Sequence, residues 1–118
     1  MVDDDPNIVE IVSETLRDAG FDVLTAADGV AATQLMQHNP DIDVLFSDVV
    51  MPGGMSGIDL ARQALSTRPN LSVLLASGYS EGWLKDIPDN CEFIAKPYRA
   101  AQILQVLRNL AAQRMTPD

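Results

Sequence analysis

The sequence is poor in the residues that would staple it, anchor it or carry it onto nucleic acid. Its single cysteine, Cys91, cannot form an internal disulfide, and no Cys/His cluster has the spacing of a zinc site. Both facts agree with a reducing, cytoplasmic setting. Positive charge is also scarce: eight Lys and Arg stand against 17 Asp and Glu, a formal net charge of −9. The few cations are scattered, so there is no basic patch with which to grip a phosphate backbone, which argues against direct nucleic-acid binding. No apolar run approaches the roughly 20 residues needed to span a bilayer, and no secretory signal is readable. Internal repeats, low-complexity tracts and linkers are missing as well.

What remains is a chain of 118 residues, 47% hydrophobic, which fits one domain over residues 1–118 with a single core. Only Met1-Val2 precede Asp3-Asp4-Asp5-Pro6, so a first strand is truncated to a remnant. Asp5 can cap and Pro6 can open a helix over about Pro6 to Ala19, with Ile8, Val9, Ile11, Val12 and Leu16 at helical spacing and Gly20 as a stop. Phe21 to Ala26 alternates as a short strand, and Asp28 caps a helix carrying Val30, Ala31, Leu35 and Met36. The apolar run Val44-Leu45-Phe46 within Asp43 to Ser47 leads to Asp48 and then to a Pro/Gly-rich loop, Met51-Pro52-Gly53-Gly54. Ile58 to Leu65 sketches a helix. Leu71 to Ala76, apolar almost throughout, has the character of a strand covered on both faces. Ser77-Gly78-Tyr79-Ser80 breaks it, Glu81 to Asn90 is weakly patterned, and Cys91 to Ala95 gives a last strand ended by Lys96-Pro97. From Ala100 onward an amphipathic helix follows.

Strands alternating with helices predict a doubly wound α/β domain, with a five-stranded parallel sheet and helices on both faces. Ligand sites in that architecture lie at the carboxyl ends of the strands. Those ends carry Asp3 and Asp4, Asp48, Ser77 and Lys96. Three carboxylates gathered in one pocket repel each other, and a hard, oxygen-seeking cation such as Mg²⁺ is their natural complement. With a lysine and a hydroxyl beside them they suit an anion next to a metal, as phosphoryl transfer requires.

Asp3-Asp4, Asp48 with Met51-Pro52-Gly53 and Gly57, Ser77-Gly78-Tyr79 and Lys96-Pro97, in this order and after these strands, resemble the receiver domain of two-component response regulators. The resemblance spans essentially the whole chain, and its Ser-Gly-Tyr segment is similar to that of receivers attached to hybrid sensor histidine kinases. It implies a flavodoxin-like sheet in the order 2-1-3-4-5. It implies that Asp48 accepts a phosphoryl group from a histidine kinase or histidine phosphotransfer partner. Asp4, Asp48 and the Val50 carbonyl would hold Mg²⁺, and Asp3 would act mainly through a bound water. Ser77 would bond the phosphoryl oxygen and Lys96 would pair with it, while Ser77 and Phe93 would form the switch. Val50 and Tyr79 flank the pocket in the family pattern and would tune access of water. Mg²⁺-dependent self-phosphorylation and slow self-dephosphorylation would follow, with a homodimer as one form of association.

Taken singly, each motif has a plainer reading. Asp3-Asp4-Asp5 can be a capped turn, Ser77 a turn residue, and Lys96 a surface charge or a structural neutraliser of the acids. Their joint placement on one sheet edge is what singles them out. Two rivals stand beside the phosphoacceptor. A phosphatase with an aspartyl nucleophile would need an acid two residues further on, where Val50 stands. A receiver-like binding module independent of phosphorylation would not need the full set of acids, hydroxyl and lysine. His38, Trp83 and Cys91 are given no chemistry.

Overall fold

The computed structural model describes residues 1–50, 55–78 and 91–115. The predicted Met51–Gly54 loop signature, Tyr79, Trp83 and the weakly patterned stretch to Asn90 lie outside the described residues. Four helices are described, and the first three begin at residues that satisfy their free backbone donors. The Asp5 carboxylate accepts from the N–H groups of Asn7 and Ile8 at 2.9 and 3.4 Å and starts α1, Pro6–Asp18. That helix stops at Gly20, whose φ of 98° lies in the left-handed region natural to glycine. Asp28 accepts from Ala31 N–H at 2.8 Å to start α2, Gly29–His38. Ser56 and Asp59 satisfy each other's backbone N–H in a capping box that opens α3, Gly57–Thr67. The last helix, α4, spans Ala100–Met115.

Three strands, β1 (Val44–Asp48), β2 (Ser72–Ser77) and β3 (Cys91–Ala95), pair in parallel in that order. The register sets Asp48 beside Ala76 and Ser77 beside Ala95, so all three strands end level with one another. On the other side of β1, Val2 bridges to both Ser47 and Ala26, which places Met1–Asp3 between Ala26 and β1. This is the order that the resemblance implies, but with two of its five strands reduced to single bridges. Phe21–Ala26, predicted as a strand, forms a bridge at Ala26 alone. A strand needs a neighbour along its length, and Met1–Asp3 reach this segment only at Leu24 and Ala26: the Met1 amine donates to Leu24 O at 2.7 Å, Ala26 N–H to Met1 O at 2.9 Å, and Asp3 N–H to Ala26 O at 3.2 Å.

The core lies on both faces of the sheet, and strand alternation assigns each residue to its side. Leu45, Val73 and Leu75 point with Val49 toward α2 and α3, where Ala32, Met36, Leu60 and Ala61 meet them. Phe46, Leu74 and Ala76 point toward α1 and α4 and pack with Val12, Leu16, Ile103 and Leu107. Burial on two faces explains why the β2 run is apolar without alternation.

Candidate functional site

The carboxyl edge of the sheet is fixed by backbone bonds from several directions. Val2 N–H donates to Phe46 O at 2.8 Å, and Asp48 N–H donates to Val2 O at 2.9 Å, which sets Asp3 beside Asp48. Val49 N–H donates to Ala76 O at 2.9 Å, and Lys96 N–H donates to Ser77 O at 3.0 Å, which draws the ends of the other strands to the same level. Gly57 N–H closes on Val49 O at 2.8 Å. A Cβ on Gly57 would stand 2.1 Å from Asp48 O, so only glycine lets the start of α3 come this close behind the site.

Within this frame Asp3, Asp4 and Asp48 each offer a carboxylate oxygen, and the three atoms lie within 4.8 Å of one another. Asp3 and Asp48 are buried, whereas Asp4 is exposed and forms the open side of the cluster. The Lys96 ammonium stands 3.0 Å from an Asp48 oxygen and 3.7 Å from one of Asp3. Asp3 also accepts from Asp5 N–H at 2.9 Å. An arrangement of this kind can bind a hard cation through oxygen alone and can hold an anion against the lysine.

The electrostatics follow from the crowding. Burial pushes the Asp3 carboxyl up and outweighs the relief from the Asp5 N–H and Lys96, with Asp48 and Asp4 adding to the rise. For Lys96, burial works to lower the pKa, but contact with Asp48 and the charges of Asp3 and Asp4 outweigh it and hold the ammonium above its ordinary value. The site therefore keeps its cation firmly and ionises its innermost acid reluctantly.

Of the residues singled out in the sequence, Asp3, Asp4, Asp48 and Lys96 meet directly. Ser77 is buried at the end of β2, one strand over from Asp48. Val50 is 49% exposed just beyond Asp48. Phe93 is half-buried opposite Leu75 and packs on the α2/α3 side of the core, away from the carboxylates. Tyr98 was not foreseen. Its ring packs edge-on against Phe46 at 5.9 Å between centroids, and its buried hydroxyl has no partner among the described residues. Burial raises its pKa, and the negative charges of Asp3, Asp48 and Asp5 raise it further, so it stays a neutral phenol at the edge of the acid cluster. Its position two residues after Lys96 was the available signal.

A family model for the response regulator receiver domain matches residues 1–108. The response regulator receiver protein CpdR of Brucella abortus (strain 2308) is 26% identical over 113 residues, which cover 93% of this chain and 92% of that protein. Sensor kinase CckA of the same organism is 31% identical over 99 residues, 80% of this chain but 10% of the kinase. A crystal structure of a response regulator receiver protein from Sinorhizobium medicae WSM419 shares the fold, with a TM-score of 0.88 at 24% identity, covering 96% of this chain and 92% of that one. No helix among the described residues is long and apolar enough to cross a membrane. The family match runs over the strand ends that bring Asp3, Asp48 and Lys96 together, and the chain belongs to the response regulator receiver domain family of two-component systems.

Proposed function

We propose that residues 1–118 act as one phosphoacceptor receiver domain, in which Asp48 takes a phosphoryl group from a histidine kinase or a histidine phosphotransfer protein. The observation that carries this reading is the meeting of three carboxylates within 4.8 Å with an ammonium 3.0 Å from Asp48. An Asp48 oxygen would form the new bond to phosphorus as the bond from phosphorus to the partner's imidazole nitrogen breaks. That nitrogen keeps the electron pair and is left as a neutral or reprotonated imidazole. The Lys96 ammonium lies 3.0 Å from an Asp48 oxygen and would stay with the product, pairing with a phosphoryl oxygen. Ser77 would donate its hydroxyl to another, and its movement, followed by that of Phe93, would relay the change to the surface near β3.

The all-oxygen donor set fits Mg²⁺, which would be held by Asp4, Asp48 and the Val50 carbonyl, with Asp3 acting through water. When bound, the ion supplies charge neutralisation for the entering phosphoryl group. Val50 offers no acid two residues past Asp48, so rapid turnover of phosphate esters is not expected, and the phosphorylated state should decay slowly.

Incubation with acetyl phosphate and Mg²⁺ should add one hydroxylamine-sensitive phosphate, seen by intact mass. It should be lost in Asp48→Asn and in the presence of a chelator. Absence of label on the wild-type protein, or equal labelling of Asp48→Asn, would overturn the proposal and leave a binding module independent of phosphorylation.

A further inference from the structure

Between the C-terminal halves of α2 and α3 lies a cavity of about 110 Å³. Met36, Leu60 and Ala64, all buried, give it an apolar floor, and the exposed Gln37 and Gln63 stand at its rim. Spacing explains the placement. Leu60, Gln63, Ala64 and Thr67 follow one another at three- and four-residue steps along α3, as Thr33, Met36 and Gln37 do along α2, so each set occupies one face of its helix. Among the described residues no carboxylate lines the cavity. Its remaining wall is Arg68, the C-cap of α3. Nη2 of this guanidinium donates to Met36 O in the last turn of α2. Nη1 is buried and has no hydrogen-bond partner among the described residues, and no carboxylate among them pairs with Arg68. In a chain with 17 acids against eight bases, a half-buried guanidinium without a counterion is an exception to the rule that buried charge is paired. A buried donor left unmet is costly, and more so when charged, so an acceptor seated here would recover that cost.

We propose that this cavity binds a small free carboxylate that carries one negative charge and a short apolar stem, of the propionate type. The charge follows from Arg68, whose Nη1 a carboxylate oxygen would meet in a charge-assisted hydrogen bond. The second oxygen would accept from the side-chain amide of Gln37 or Gln63 at the rim. The Thr33 and Thr67 hydroxyls are already turned to their own helices, donating to Gly29 O at 2.8 Å and to Gln63 O at 3.0 Å, so the amides are the donors left for that oxygen. The floor of Met36, Leu60 and Ala64 asks for a hydrocarbon stem, and the volume limits its length: at about 30 Å³ for each water in the liquid, the cavity equals about three or four waters. A second negative charge is selected against twice. The carbonyl ends of both helices lie at this region, and the whole chain carries a net charge of −9.

The test is a titration of sodium propionate into the full chain without Mg²⁺, followed by NMR of backbone and side-chain N–H groups, with ionic strength held constant by sodium chloride. Saturable millimolar binding is expected, with the largest shifts at the Gln37 and Gln63 side-chain amides and at the Arg68 Nε–H. Propionamide, which has the same shape without the charge, should bind at least tenfold more weakly, and succinate and sulfate should also bind more weakly than propionate. Gln63→Glu keeps Arg68 but places a carboxylate at the rim, where it supplies the missing counterion from within, and should weaken propionate binding at least tenfold. Arg68→Gln should do the same, but it also removes the bond to Met36 O, so the rim variant decides the matter if Arg68→Gln fails to fold. No saturation in the millimolar range, equal binding of propionamide, tighter binding of succinate or sulfate, or unchanged binding to Gln63→Glu would overturn the proposal. Phosphate and Mg²⁺ enter none of these readouts, so failure here and failure of the phosphoacceptor reading are distinguishable.

Discussion

The two ends of the sheet are built in opposite ways. At the carboxyl end, backbone bonds from Val2, Ala76 and Ser77 tie the strand ends together, charges sit in contact, and α3 approaches so closely that a glycine is required. At the amino end, the same β1 borders a hollow of about 510 Å³ whose lining is largely apolar. A chemical site needs fixed distances, and this chain spends its tight packing there. The two backbone bonds between Val2 and β1 are therefore worth more than their number suggests, because among the described residues they are what places Asp3 against Asp48 from the β1 side.

The sharpest way to break the contrast is to loosen the closed end. Gly57→Ala puts a methyl group 2.1 Å from Asp48 O, a collision with backbone that cannot be relieved by a side-chain rotation. A loss of roughly 3 kcal/mol in urea unfolding is expected, together with weaker Mg²⁺ binding, since Asp48 itself must shift. A loss below about 0.5 kcal/mol would show that the carboxyl end yields as easily as the other.

The next effect belongs to the amino end. Burial lowers the pKa of the Met1 amine from 8.0 to about 6. The folded state thus prefers the neutral amine, and unfolding takes up a proton between these two values. This contribution to stability is fully present above pH 8, falls as the pH drops toward 6, and is gone below that. The full difference corresponds to about 3 kcal/mol, an upper bound on the fall. Urea midpoints measured from pH 8.5 to 5.5 should show the decline, and N-terminal acetylation should remove it. A flat profile would mean that the hollow admits enough water to solvate the ammonium.

Much of this was legible in the sequence, for identifiable reasons. The apolar run Leu71–Ala76 announced a strand with two covered faces, and Val73, Leu74, Leu75 and Ala76 are indeed buried on alternate sides. The Asp5 and Asp28 caps could be read because a cap is a local device. The acid cluster could be placed because the ends of parallel strands share an edge. Phe21–Ala26 pairs at Ala26 alone, since alternation reports a side chain's preference and says nothing of whether a neighbour lies along the segment to pair with. Gly57 could be matched to a family pattern, but not to its physical role, which depends on how near α3 comes to Asp48. Tyr98 gave no periodic signal at all; its place beside Phe46 follows from the tertiary fold.

A paired substitution compares packing directly. Val44→Ile adds a methylene where β1 borders the hollow, and should stabilise by about 0.5–1 kcal/mol, as cavity filling commonly does. Val73→Ile adds the same group at a fully buried site in the middle of β2 and should destabilise by about 1 kcal/mol or more through overpacking. Chemical denaturation of the two variants gives the result, and changes of the same sign would erase the proposed difference in density.

A last effect on stability, of similar size, tests whether the closed end depends on charge balance. Lys96 is 26% exposed and touches Asp48 and Asp3, so its loss leaves three acids facing each other with water able to relieve only part of the cost. Without divalent cations Lys96→Gln should lose about 1 kcal/mol, a figure reduced for that exposure. Because the folded state holds the ammonium above its ordinary pKa, the contribution is complete below the unfolded value and disappears as pH rises through the folded one. The wild type should then lose its advantage over Lys96→Gln only in strongly alkaline solution. Added Mg²⁺ should narrow the gap at neutral pH, since a cation held by the acids replaces the missing charge and no longer competes with the lysine. Calorimetric titration should accordingly show tighter Mg²⁺ binding to Lys96→Gln than to the wild type. Weaker binding would mean that the lysine shapes the acid cluster more than it competes for it.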